Sequence, residues 1–116
     1  MTYDSGLVER VRDALQRLGE HGVREKNVFG GRGFLFGKTT FVIAWDDALI
    51  VRTPPGEYHD AVALPHVEPF APDGERPMST WLVAHADAIA DDPELAEWVA
   101  RGIRGARTPS AKKRSR

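Results

Sequence analysis

The chain contains no cysteine, which excludes disulfide staples, a thiolate nucleophile and cysteine-based zinc sites together. It also lacks an apolar run of membrane-spanning length, and its N-terminus, MTYDSGLVERVRD, reaches charged residues before a signal-like apolar stretch forms. Neither export nor a membrane span is therefore expected, and a cytoplasmic location fits both absences. HExxH and closely spaced ligand pairs are missing too, so His21, His59, His66 and His85 read as surface or loop histidines. No metal and no cofactor are expected. Ser79 sits in no nucleophile elbow and has no identifiable base. Asp46-Asp47 and Asp91-Asp92 look like paired catalytic acids, but a hairpin turn and a helix cap account for them. No catalytic residue is assigned, and a non-enzymatic protein is expected.

What is present is one domain's worth of chain. A length of 116 residues with 41% hydrophobic content can bury a core without covalent staples. Charge is unevenly placed along it. Residues 1–106 carry 11 Lys or Arg against 17 Asp or Glu, a net of −6, whereas residues 107–116 hold five basic residues and no acid. The segment TPSAKKRSR has no apolar side chain larger than alanine and cannot repay the entropy of ordering, so residues 1–106 are expected to form the domain and 107–116 a disordered basic tail.

Leu7, Val11, Ala14, Leu15 and Leu18 recur at intervals of three and four, which predicts an amphipathic helix capped by Asp4 or Ser5. After Asn27 the period changes. Residues 33–36, 39–45 and 48–53 read as three strands of a meander, turning at Gly37-Lys38 and Asp46-Asp47, with Phe41, Ile43 and Trp45 on one face and Val42 and Ala44 on the other. A short helix over 57–63 with Tyr58, Ala61 and Val62 inward, strands over 67–70 and 79–84, and a last helix starting at Asp92-Pro93-Glu94 complete the order α-βββ-α-ββ-α. Asp92 is read as its capping acid, and the helix is expected to fray near Gly102 or Gly105. The fold class expected is α+β, an antiparallel five-stranded sheet with its helices on one face.

The stretch GGRGFLFGKTT tests for a nucleotide site. A phosphate-binding loop needs G-x-x-x-x-G-K-[ST], and Gly37-Lys38-Thr39 supplies its ending, but Arg32 stands where the first glycine belongs. The lysine and threonine of such a loop also open a helix, whereas TTFVIAW is a strand pattern. A dinucleotide fingerprint fails as well, with Phe36 at its third glycine. Gly30, Gly31 and Gly33 are read instead as a bend into the first strand, with Phe29 and Phe34 anchored in the core.

The run VREKNVFGGRGFLFGKTTFVIAWDDALIVR, followed by GEYHDAVALPHVEPF, RPMSTWLV and DDPELAEWVARGI, resembles the N-terminal domain of the TfoX/Sxy family over about residues 7–106. The residues that carry the resemblance are Phe29, Gly30, Gly31, Phe34, Arg52, Arg76, Pro77, Trp81, Leu95 and Trp98. Val28 stands where the family usually has methionine, Glu75 sits where it often reads G-R-P, and the basic tail is additional. The resemblance implies a small α+β domain similar to the secretion-chaperone-like fold. It also implies kinship with regulators of natural competence that work with a transcription activator, and it brings no catalytic residue.

Arg52, ending a strand, and Arg76, in a Gly/Pro loop, could meet beside Trp81 to form an anion or partner site; pairing with Glu57 or Glu75 is the structural alternative. Trp81 and Trp98 follow core periodicity, though a half-exposed Trp81 would suit an interface. The expected function is a protein-interaction or regulatory module that binds a protein partner or a second copy through a sheet edge or the Arg76 to Trp81 surface. The alternative is nonspecific nucleic-acid binding through Lys112, Lys113, Arg114 and Arg116.

Overall fold

Leu7, Val8, Val11, Ala14 and Leu15 are buried along one face of helix α1 (Ser5–Arg17), as their spacing requires. Asp4 caps it, its carboxylate accepting a bond from the Gly6 backbone N–H at 2.8 Å. Leu18 lies one residue past the helix and is 40% exposed, so it does not extend the buried stripe. The computed structural model describes residues 3–28, 30–71, 74 and 80–108.

Six strands follow: β1 (Val23–Val28), β2 (Gly31–Phe36), β3 (Thr39–Trp45), β4 (Ala48–Arg52), β5 (Val67–Pro69) and β6 (Trp81–Ala84). They form one sheet in the order β1-β2-β3-β4-β6-β5, with every pairing antiparallel. The α+β class and antiparallel sheet are as expected, but the count is six rather than five. The added strand, VREKNV, hides from a hydrophobic pattern because charge fills its centre. It is an edge strand held by pairing with β2 along its whole length. Glu25 points its carboxylate back to Arg12 of α1 and Arg32 of β2 at 2.8 and 3.0 Å, which ties helix to sheet.

Helix α2 (Pro55–Val62) buries Ala61 and packs Tyr58 and Val62 against the core, as the sequence suggests. A single 3₁₀ turn (Ala86–Ile89) precedes α3 (Asp92–Arg107). Asp91, not Asp92, occupies the cap position of α3, with extended backbone and no side-chain capping bond; the Asp92 carboxylate, inside the helix, accepts a bond from Arg10 Nε at 3.1 Å and joins α3 to α1. The expected fraying at Gly102 or Gly105 does not occur: both glycines are buried and α3 runs on to Arg107. A β-carbon at Gly105 would lie 2.0 Å from the Arg52 carbonyl oxygen, and one at Gly102 would lie 2.7 Å from that of Phe41. These residues are glycine so that the helix can press onto the sheet backbone.

All the helices contribute to one cluster with Phe34, Phe41, Val42, Ala44, Leu49, Val51, Leu82 and Ala84 of the sheet. The other sheet face carries Ile43, Ala48, Ile50, Phe70, Trp81 and Val83, also buried, with no helical residue among them. Phe41 is therefore not a face-mate of Ile43 and Trp45 as alternation predicts. Phe34 pairs with Val42 but Leu35 pairs with Thr40, so Phe41 is an extra residue in β3; this bulge places it with Val42 in the helix-side cluster. Trp45 is 37% exposed at the end of β3, its ring edge-on to Phe70. Among the described residues, no helix is long and apolar enough to cross a membrane.

Candidate functional site

The glycine stretch forms a hairpin. Gly30 turns with φ 82°, and a β-carbon on Gly31 would lie 2.5 Å from the Ala44 carbonyl oxygen, so backbone proximity sets the residue type there. Lys38 lies in the turn before β3, and Thr39 opens a strand. A phosphate-binding loop is thereby excluded on geometry, because no helix N-terminus follows the lysine. Phe34 is fully buried, and Phe29 lies outside the described residues.

Arg52 is the last residue of β4 and stands opposite Trp81 of β6 in register. Its guanidinium carbon lies 4.7 Å from the Trp81 ring centroid, and its Nε donates to the Thr40 carbonyl at 2.7 Å. The group is half-buried, and burial pushes its pKa below the ordinary arginine value. No carboxylate pairs with it among the described residues. Among the described residues, one of its five N–H donors, Nε–H, has a hydrogen-bond acceptor. Next to it, Thr53 is 1% exposed, and its Oγ1 has no hydrogen-bond partner among the described residues.

The structural alternative for Arg52 fails at Glu57. That carboxylate accepts from Arg104 Nε and Nη2, each at 2.8 Å, and from Arg101 Nε at 3.2 Å. The hydrogen bonds from Arg104, with a share from Arg101, hold the Glu57 pKa below its usual range despite an opposing effect of burial. Arg101 in turn stacks on Trp98 at 4.4 Å.

Trp81 and Trp98 are both buried, at 6% and 4% exposure, and Leu95 at 1%; Trp81 is core support for Arg52 and not a half-exposed contact. Arg76, Pro77 and Glu75 lie outside the described residues, as do Ser79 and the tail residues Lys112, Lys113, Arg114 and Arg116. The pairing of Arg52 and Trp81 is the part of the expected surface that the fold brings together. Sequence reasoning missed a cleft beside Trp98, about 290 Å³ in volume, whose lining comes from the 64–66 turn, the 3₁₀ turn and α3. Only the tertiary packing brings those segments together.

The family model for the TfoX N-terminal domain matches residues 13–106. No curated protein and no solved structure matches the chain.

Proposed function

We propose, from the premise that the chain belongs to the TfoX N-terminal domain family, that it is a non-enzymatic interaction module of regulatory type that binds a protein partner, or a second copy, around Arg52. One observation carries this reading: a half-buried guanidinium is aligned on Trp81 and fixed by the Thr40 carbonyl, with no carboxylate paired to it among the described residues. An arginine so placed has already lost side-chain freedom and part of its hydration, so a partner's acidic group meets it at low entropic cost. Strand addition at the sheet edges is less well supported. β5 has three residues and ends in Pro69, while β1 carries Arg24, Glu25 and Lys26.

The test compares partner recovery by the parent and by Arg52→Met. Losing a charge-assisted contact worth about 1.5–3 kcal/mol lowers affinity roughly 10- to 100-fold. Equal recovery of every partner by both proteins defeats the reading.

Nucleic-acid binding by the tail rests only on the charges of residues 107–116, opposed by a net −6 in the rest of the chain. A low-salt gel shift unchanged by replacing Lys112, Lys113, Arg114 and Arg116 with serine eliminates it.

A further inference from the structure

The cleft beside Trp98 has an apolar floor and an acidic rim. Leu64, Pro65, Ala88 and Trp98 provide the floor, and Leu64 is 42% exposed. Asp87, Glu94 and Glu97 stand exposed around it, and none forms an ion pair with a lysine or arginine among the described residues. Arg101, the one arginine or lysine of the lining, is committed to Glu57 and to the Trp98 ring. The cleft therefore presents Glu94, with no charged partner among the described residues, beside Glu97, whose charge also acts on Arg104, and Asp87, 4.0 Å from the His66 ring, all over hydrocarbon. Its volume of about 290 Å³ is at the lower limit for small-molecule sites, which run from roughly 300 Å³ upward, and suits one or two side chains. An aliphatic stem ending in a cation fits both parts of it.

The sequence supplies such side chains within reach. We propose that the cleft holds the lysine- and arginine-rich segment 109–116 of the same chain, a segment that lies outside the described residues. Thr108, the C-cap of α3, is eleven residues beyond Glu97, about 16 Å along the helix. Eight residues in extended form span roughly 26 Å, enough for Arg114 or Arg116 to return to the acidic rim. The tether keeps the segment at a high effective concentration, which favours its own cleft over that of another molecule. Charge complementarity is strong: the segment carries four cations and no acid. Docked there, it occupies a site that a basic segment of another protein would have to take by displacement.

The test uses the full chain, comparing the parent with a variant in which Lys112, Lys113, Arg114 and Arg116 are replaced by serine. Backbone amide and Trp98 indole N–H resonances are recorded in both. Resonances of Ala88, Glu94, Glu97 and Trp98 are expected to differ between the two proteins at low salt and to converge in 1 M salt, where screening is complete within about 3 Å. Adding the peptide TPSAKKRSR to the serine variant is expected to move those resonances back toward the parent positions. Combining Glu94→Gln and Glu97→Gln in that variant is expected to weaken the peptide roughly tenfold. Identical cleft resonances in parent and serine variant would overturn the proposal, as would peptide affinity unaffected by the glutamine changes. Differences that grow with protein concentration would overturn it too, by assigning the cleft to a second copy.

Discussion

Two arginines in this protein lie over tryptophan rings, and they have opposite electrostatic surroundings. Arg101 sits 4.4 Å from the Trp98 centroid and shares the Glu57 carboxylate with Arg104; Arg52 sits 4.7 Å from the Trp81 centroid and, among the described residues, donates only to the Thr40 carbonyl. The ring contact is common to both, so it does not mark a functional residue. What separates them is the counter-charge, which Arg52 lacks among the described residues. At Arg101 the ion pair closes α2 onto α3, and the arrangement is complete within the molecule. At Arg52 the desolvation of a cation is offset, among the described residues, only by the Thr40 carbonyl and the Trp81 ring.

The comparison is disturbed most if α3 is forced off β4, the strand that ends in Arg52. Gly105→Ala places a β-carbon against the Arg52 carbonyl and is expected to destabilise by about 3 kcal/mol, read as a lower urea midpoint with an unchanged slope.

Removing the counter-charge at the closed site has a smaller effect. Glu57→Gln removes the carboxylate that Arg101 and Arg104 share; because the Glu57 side chain is 34% exposed, a loss of about 1 kcal/mol at neutral pH is expected. Its folded pKa lies below the ordinary 4.5, so its contribution is present above that value and is lost as pH falls through the lower folded one. The stability of Glu57→Gln should accordingly fall less steeply than that of the parent below pH 4.5, as followed by thermal unfolding at a series of pH values. The part due to Glu25, whose pKa is also lowered by its hydrogen bond from Arg12, should persist.

The open site should respond least, or in the opposite direction. Arg52→Met replaces a half-buried unpaired cation with an apolar side chain and is expected to leave stability within about 0.5 kcal/mol of the parent, with no pH dependence near neutrality because arginine stays charged. Thr53→Val removes a buried hydroxyl that has no partner and is expected to add about 1 kcal/mol. A large loss of stability in Arg52→Met would make Arg52 a structural residue like Arg101 and end the distinction between them.

Much of the scaffold could be read directly along the chain. The three-and-four spacing in α1 and the β-branched runs of β3 and β4 are local patterns, and their elements appear where those patterns predict. β1 was not legible because Arg24, Glu25 and Lys26 interrupt any alternation; its strand geometry follows from hydrogen bonding to β2. The face of Phe41 was misread because a bulge depends on register between two strands, which one strand's sequence does not encode. Gly102 and Gly105 look like helix ends in sequence, yet they are the closest approach of helix to sheet.

The sequence by itself determined the family, the α+β class, the absence of cysteine chemistry and the choice of Arg52 with Trp81 as a pair to watch. Whether that arginine has a counter-ion was decided only in three dimensions. Packing of α2 on α3 carries Glu57 to Arg101 and Arg104, while Arg52, at the end of β4, meets a carbonyl and a ring and no carboxylate among the described residues. Patterns along a chain record which groups prefer burial; which charges neutralise one another depends on distances between segments far apart in sequence, and Coulomb energy depends on those distances.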